Sequence, residues 1–148
     1  LRERQGRLRG FRGESGCDVI LLSVDLAALP ERLPLDLEGR LKALIPSLVA
    51  RTFLICSDKP EPVGMITIDV FDREVELHEI YISRQNRQHG YGTKALRALD
   101  QLLVDEEMDQ LWLYPHSTDG VDTDVLLRWY KRCGFVAHPE EGLVKYYR

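Results

Sequence analysis

A glycine-rich turn between a strand and a helix is the part of this sequence best suited to chemistry. Residues 79–83 read EIYIS, which is typical of a strand end, and residues 87–93 read RQHGYGT and open an amphipathic helix. Glycine lets the backbone approach a ligand and adopt dihedral angles that other residues resist. The first N–H groups of a helix also favour anions. The turn therefore predicts a phosphate or pyrophosphate site, to which Arg87 and His89 would add charge.

Two general phosphate-binding motifs fit this turn poorly. A Walker A loop ends in Gly-Lys-Ser/Thr, whereas residues 92–94 read GTK, in the wrong order. Residues 90–95 read GYGTKA and match the dinucleotide pattern G-x-G-x-x-A. However, the turn follows an antiparallel meander instead of opening a βαβ unit, and no acidic residue ends the next strand. Nucleotide binding without coenzyme A therefore remains only an alternative.

A second candidate segment lies on a later helix. Leu126, Trp129, Tyr130 and Cys133 recur at helical spacing, so packing in the core is one interpretation of Tyr130. A phenol with a pKa of about 10 is protonated at neutral pH and can donate a proton to a leaving group. Tyr130 therefore has either a core role or a catalytic one.

Together these segments resemble the GNAT superfamily of acyl-CoA-dependent N-acetyltransferases. Residues 87–92 match its R/Q-x-x-G-x-G/A signature, and residues 130–135 match Tyr-x-x-x-Gly-Phe. Residues 77–82 (LHEIYI) and 111–113 (LWL) resemble the strands on either side of that signature. The resemblance covers residues 63–147, and the earlier part fits only in element order. It implies an α/β (α+β) fold with a mostly antiparallel central sheet, a splayed strand pair and flanking helices.

The resemblance also implies a site for acetyl-CoA, the acyl donor, between the splayed strands. The backbone of residues 80–82 would pair with the pantetheine arm, and the amides of residues 88–93 would hold the pyrophosphate. The predicted cofactor-binding residues are Ile80, Tyr81, Ile82, Arg87, Gln88, His89, Gly90, Tyr91, Gly92 and Thr93. No metal site is predicted, because His116 and His138 are isolated from other ligand types.

Two catalytic residues follow from the resemblance. Tyr130 would protonate the departing thiolate of coenzyme A. Glu79 is the candidate base that takes a proton from the attacking amine, although a solvated sheet-face acid is the alternative. Strict alternation would place Glu76 and His78 on the face opposite Glu79. Tyr114 stands where some relatives carry a catalytic acid, which weakens a mechanism with two such acids.

The periodicity of the chain predicts the elements that position these residues. Strands are expected over residues 18–24, 52–57, 63–71, 75–82 and 111–114, with two closing strands over 135–137 and 143–147. A helical pattern over 37–48 contains Pro46, which would kink or divide it. A helix from residue 91 ends at 105–107. A further helix begins at Asp122 or Thr123 and ends at Gly134.

Length and composition favour one ordinary globular domain over residues 17–148. The chain has 148 residues, 44% hydrophobic and 30% charged, with a net charge of −4. That charge argues against a general nucleic-acid surface, and no apolar run approaches a membrane span. Residues 1–16 form a basic Arg/Gly-rich lead-in, which is either flexible or an arm for an acidic partner. Widely spaced cysteines and the lack of a secretory signal at the start predict a cytoplasmic location.

The sequence thus predicts an N-acetyltransferase that transfers an acetyl group from acetyl-CoA to a primary amine, by direct attack in a ternary complex. The alternative is a non-catalytic acyl-CoA sensor or a structural domain of a longer chain. The acceptor stays open among protein amines, polyamines and small amines. Asp119, Asp122 and Asp124 would either attract a cationic amine or cap the following helix. A homodimer is consistent with the family, and no membrane or nucleic-acid partner is expected.

Overall fold

The computed structural model describes residues 19–116, 120–140 and 142–148. Strands of the sheet are β1 (Ile20–Ser23), β2 (Ala50–Cys56), β3 (Gly64–Phe71), β4 (Glu74–Ile82), β5 (Gln110–Leu113), β6 (Val136–Ala137) and β7 (Leu143–Tyr146). The helices are α1 (Leu35–Ala43), α2 (Tyr91–Asp105) and α3 (Thr123–Arg132). The strands form one sheet in the order β1-β2-β3-β4-β5-β7-β6. This confirms the predicted mixed fold, while the lead-in over residues 1–16 lies outside the described residues.

The sheet contains one parallel pair, and that pair opens. β2 to β4 form the predicted antiparallel meander, β1 pairs antiparallel with β2, and β7 pairs antiparallel with both β5 and β6. β4 and β5 are parallel and pair only from Glu74–Gln110 to Glu76–Trp112. β4 nevertheless continues to Ile82. The two strands therefore separate beyond Glu76, which confirms the predicted splay.

A β-bulge interrupts β4 just beyond the point where it leaves β5. Thr67 of β3 pairs with Glu79, but the next residue of β3, Ile68, pairs with Leu77. His78 is therefore an extra residue with no direct partner on β3. A bulge of this kind shifts the alternation of side chains by one residue.

The shift changes which residues of β4 reach each side of the sheet. Val75 and Leu77 belong to the larger of two core clusters, and beyond the bulge Ile80 and Ile82 pack against the same cluster. Tyr81 belongs to the smaller cluster, on the α1 side. Strict alternation along β4 would place Val75, Leu77 and Tyr81 on one face. That expectation is wrong for Tyr81, because a sequence pattern of period two cannot show a bulge.

The helices cover the sheet through apolar stripes. The buried stripe of α2 consists of Ala95, Leu96, Ala98, Leu99, Leu102 and Leu103. These residues join the larger cluster, whereas Leu37 and Leu41 of α1 join the smaller one. Each fully buried leucine contributes about 1.5–3 kcal/mol to folding. Among the described residues, no helix is both long and apolar enough to cross a membrane.

The first helix is shorter than its apolar pattern predicts. α1 ends at Ala43, and the following Leu44 is extended with a ψ of 139°. Ile45 and Leu48 are 86% and 97% exposed, so they take no part in the predicted stripe. Pro46 therefore neither kinks nor divides the helix but lies beyond its end. The residue before a proline disfavours helical dihedral angles, which is consistent with this early stop.

The third helix begins and ends as the sequence predicts. The Asp122 side chain accepts a hydrogen bond from the Asp124 N–H at 2.7 Å and caps α3. Gly134 has a φ of 104°, and the Phe135 N–H donates to the Tyr130 carbonyl at 3.2 Å. Phe135 is buried. These two ends fix α3 and with it the predicted catalytic tyrosine.

Candidate active site

A cavity of about 360 Å³ lies where β4 and β5 separate. It is bounded by β4 from Leu77 to Ile82, by the glycine-rich turn, by residues 113–116 after β5 and by part of α3. We call it the cleft. All the predicted site residues except His89 line it. His89 instead lies beside Tyr91, with ring centroids 6.1 Å apart.

The glycine-rich turn has the geometry of an anion site. Gln88 and Gly90 both have positive φ, 66° and 79°, and Gly90 is the residue that precedes α2. The first bond of the helix runs from the Lys94 N–H to the Gly90 carbonyl at 3.1 Å. The amides of residues 91–93 therefore have no acceptor within the helix. Together with the helix dipole they can bind the phosphates of a ligand.

Gly92 is the point where α3 contacts the turn. A Cβ atom at Gly92 would lie 3.2 Å from the Trp129 ring. The Trp129 Nε1 donates to Thr93 Oγ1 at 3.0 Å. The Thr93 side chain is thus engaged with α3, so the predicted role of Thr93 in binding a ligand rests on its backbone amide. The sequence indicates the turn, but it does not predict this bond.

Arg87 braces the turn against β4. Its Nε donates to the Ile82 carbonyl at 2.9 Å, and its guanidinium lies 5.1 Å from the centroid of the Tyr81 ring. The predicted role of Arg87 was to add charge to a phosphate site. The structure places it at the edge of the cleft with its Nε engaged in holding the strand end.

Tyr130 lies at the boundary between the core and the cleft. It is 7% exposed and packs edge-to-face on Phe135, with ring centroids 5.5 Å apart. Burial, and to a smaller extent the neighbouring Cys133, raise the pKa of Tyr130 to about 12. Its hydroxyl is therefore protonated throughout the neutral range. Tyr130 therefore packs in the core and also lines the cleft, so its core role is confirmed and its catalytic role stays a prediction.

Glu79 lies in the cleft but already has a partner. Its Oε2 forms an ion pair with the Arg40 guanidinium of α1. That guanidinium lies 4.6 Å from the centroid of the Tyr81 ring. The Tyr81 hydroxyl donates to Asp36 Oδ2 at 2.7 Å. Sequence reasoning missed Arg40 and Asp36, because α1 lies outside the recognised motifs and a helical pattern does not show which strand it meets.

A second cavity of about 740 Å³ lies on the α1 side of the sheet. Thr52, Thr67 and Asp69 line it, together with residues 23–26 and 43–47. Glu79 and His78 line both this cavity and the cleft. The prediction that His78 lies on the face opposite Glu79 is therefore wrong, again because of the bulge.

Comparison with known families agrees with this arrangement. The sequence model of the acetyltransferase (GNAT) family matches residues 23–135, which is most of the chain. The chain belongs to this family. Membership of the family supports acyl transfer as the general chemistry of this GNAT domain. No curated protein in the comparison matches it.

Solved structures share the fold of this GNAT domain at low sequence identity. A spermidine N-acetyltransferase chimera from Vibrio cholerae and hSSAT has a TM-score of 0.63 at 16% identity, over 88% of this chain and 96% of that one. An Elizabethkingia anophelis GNAT family acetyltransferase with acetyl-CoA bound gives 0.62 at 14%, over 86% and 97%. The PaiA N-acetyltransferase from Thermoplasma acidophilum in complex with coenzyme A gives 0.55 at 17%, over 68% and 62%. This chain spans less than two thirds of the PaiA chain.

The polar loop after β5 is only partly described. Asp119 lies outside the described residues, while Asp122 caps α3 as stated above. His116 Nδ1 lies 3.1 Å from the Tyr114 carbonyl, and Tyr114 itself is 53% exposed at the mouth of the cleft. A phenol, that of Tyr114, thus stands at the position where the resemblance implies a catalytic acid in some relatives.

Proposed function

We propose that this GNAT domain transfers an acetyl group from acetyl-CoA to a primary amine by direct attack in a ternary complex. One observation carries the proposal. The N-terminus of α2, with its unpaired amides, and Tyr130, with its protonated hydroxyl, line the same cleft. An anion-binding turn suits the pyrophosphate of a nucleotide-linked donor, and a buried phenol suits a thiolate leaving group.

The residues present fit acetyl-CoA. The amides of residues 91–93 would bind the pyrophosphate, and the free side of β4 beyond Glu76 would lie along the pantetheine arm. Gly92 supports this fit, because the absence of a side chain there lets the turn lie close against the Trp129 ring. Two proteins of similar fold hold coenzyme A or acetyl-CoA. Acetyl-CoA supplies an activated thioester whose carbonyl carbon is open to a nucleophile.

The chain would contribute three effects to the transfer. Backbone N–H groups of β4 in the cleft would stabilise the oxyanion that forms at the carbonyl. Tyr130 would donate its proton to the leaving sulfur. Glu79 would lie beside the amine. Its ion pair with Arg40 would limit its use as a base. These groups act on bound reactants, so no covalent enzyme intermediate is needed.

The second cavity is the proposed entrance for the acceptor. Its charged lining combines the carboxylates Asp25, Asp69 and Glu79 with the guanidinium groups of Arg40 and Arg51. The three carboxylates outnumber the two guanidinium groups, so we expect this cavity to favour a cationic acceptor. The fold is similar to that of a spermidine N-acetyltransferase chimera, so polyamines belong in the first panel of acceptors.

Calorimetry tests the donor site and CoA release tests the transfer. We expect acetyl-CoA to bind with micromolar affinity, whereas NAD and ATP bind at least tenfold more weakly. The complex is then offered polyamines, lysine, peptide N-termini and simple primary amines. CoA release with at least one amine supports the enzyme. Acetyl-CoA binding without release from any amine would favour the non-catalytic sensor, and absence of acetyl-CoA binding would overturn both.

A further inference from the structure

We propose that His78, with Asp69 beside it, is the group that takes the proton from the acceptor amine. This inference rests on the proposed function and assigns a residue that sequence reasoning did not consider as a base. It changes the role of Glu79 from a base to a positioning residue that holds Arg40 on the acceptor side.

The β-bulge is what brings His78 into the site. Since Ile68 pairs with Leu77 and Thr67 with Glu79, His78 is left out of the ladder at the place where β4 has already separated from β5. Among the described residues, His78 and Glu79 are the two that line both the cleft and the second cavity. An amine that enters from the second cavity and attacks a carbonyl in the cleft would pass between the cavities at these two residues.

Asp69 lies close enough to stabilise a charged imidazole. Its Oδ2 is 3.9 Å from His78 Nδ1, which is an ion-pair contact and longer than a hydrogen bond. The Asp69 side chain is only 21% exposed, whereas that of His78 is 58% exposed. The carboxylate is therefore held in the wall of the cavity, and the imidazole can release a proton to water after each turnover.

A third charged group acts on the same pair. Burial, then the Asp69 carboxylate, raise the pKa of Glu76, while His78 lowers it. Glu76 is thus within electrostatic range of both residues. Two carboxylates therefore lie beside the one imidazole.

Glu79 is less available for the same step. Its Oε2 is occupied by Arg40, and the guanidinium also lies over the Tyr81 ring. Accepting a proton there would weaken a partly buried ion pair. His78 loses no comparable contact when its Nε2 accepts a proton, since Asp69 faces the other ring nitrogen, Nδ1.

The proposed transfer moves one proton from the amine to His78 and one proton from Tyr130 to the leaving sulfur. The amine nitrogen forms a bond to the acetyl carbon as its proton passes to His78 Nε2. The carbon–sulfur bond then breaks, and the thiolate takes a proton from the Tyr130 hydroxyl. His78 gives its proton to solvent and Tyr130 regains one, so the net products are the amide and CoA. No other reactant is required.

The test is the pH dependence of turnover at saturating amine. Imidazole changes charge between about pH 5 and 8, so the wild-type protein should lose activity as the pH falls through that range. Charged and titratable groups that face His78 or share its cavities are Asp25, Arg40, Arg51, Asp69, Glu76, Glu79, Tyr81, Arg87, Tyr91, Tyr114, His116 and Tyr130. A variant of His78 is therefore compared with variants of two of these groups: His78→Gln, Asp69→Asn and Glu79→Gln. His138→Gln is the control, because His138 lines neither cavity.

His78→Gln should lower kcat about 100-fold or more and leave the acetyl-CoA affinity measured by calorimetry within twofold of wild type. It should also abolish the acid limb of the pH profile, which is the fall in activity at low pH. Asp69→Asn should move the limb to lower pH, and Glu79→Gln should keep it. An active His78→Gln variant within threefold of wild type, with the limb in place, would overturn this inference alone. Loss of the limb in Glu79→Gln instead would return the role of base to Glu79. A wild-type protein that releases no CoA with any amine would overturn the proposed function and this inference with it.

Discussion

The indole Nε1 of Trp129 donates a hydrogen bond to the Thr93 hydroxyl across 3.0 Å. This bond joins α3 to the first turn of α2. Tyr130 is the next residue along α3, and the amides of the anion-binding turn surround Thr93. The bond therefore couples the proposed proton donor to the proposed phosphate site, and it joins two residues that are 36 apart in sequence.

Loss of the bond between Trp129 and Thr93 should destabilise the domain and slow turnover. Thr93→Val keeps the branched shape but leaves the Trp129 N–H unpaired, so we expect a loss of about 1 kcal/mol of stability. Turnover should fall more than acetyl-CoA affinity, because the amides of the turn remain. Trp129→Phe removes the donor, and the two changes together should be less than additive in a double-mutant cycle of unfolding free energies. Strictly additive effects would show that the contact does not couple the two helices.

Removal of the Tyr130 hydroxyl tests the proton donor. Tyr130→Phe keeps the ring packed on Phe135, so stability and acetyl-CoA binding should change little. The kcat should fall about 100-fold, which is the range expected of a lost acid. A stopped assay of CoA release measures turnover, and calorimetry measures the binding of acetyl-CoA. Unchanged turnover would assign Tyr130 to the core alone.

Alkaline stability should also depend on Tyr130. Its pKa is about 12 in the folded chain and about 10 when unfolded, so the unfolded state loses the proton first. The stabilising effect is complete below pH 10 and is lost as the pH rises from 10 to 12. Denaturant unfolding at pH 9 and 11 should therefore show a smaller loss in Tyr130→Phe than in wild type. Tyr146→Phe, at a half-exposed tyrosine, is the control and should behave as wild type.

A close approach between β3 and β4 requires glycine at position 64. A Cβ atom there would lie 2.3 Å from the Tyr81 carbonyl oxygen and 2.9 Å from the Ile82 side chain. Gly64→Ala should therefore lower the unfolding free energy by about 3 kcal/mol. Gly39→Ala is matched to it, because nothing lies within 4 Å of that position in α1. This control should raise stability by about 0.5–1 kcal/mol, and equal effects of the two changes would contradict the packing.

Asp36 should make the domain sensitive to acid. Burial raises the pKa of its carboxyl, but hydrogen bonds from the Arg84 amide, the Tyr81 hydroxyl and other amides outweigh burial, so the net pKa lies below the usual 3.8. A lowered pKa gives stability that is present above pH 3.8 and is lost as the pH falls through the folded value. Asp36→Asn should flatten the acid side of the stability curve. Asp58→Asn, on an exposed turn, should leave it unchanged.

The motifs of the site could be predicted because their physics is local. The positive φ of Gly90 and Gly134, the Asp122 cap and the apolar stripe of α2 depend on residues within a few positions of one another. The sequence predicts the end of α3 at Gly134 and the amphipathic α2, and it gives Asp122 as one of two candidate caps; all three features are present. Local steric and hydrogen-bonding rules act in the same way wherever the segment lies in a fold.

What the sequence did not determine depends on contacts between distant segments. The bulge at His78, the pairing of Glu79 with Arg40 and the bond from Trp129 to Thr93 each join elements whose register is set by the whole sheet. One extra residue in β4 reverses its faces without a change in composition, so alternation alone placed His78 on the wrong side. The sequence by itself determined the family, the glycine-rich turn and the placement of Tyr130 on α3. The tertiary structure alone decided which charged groups surround the proposed acceptor site, because that choice depends on how α1 and three strands meet in space.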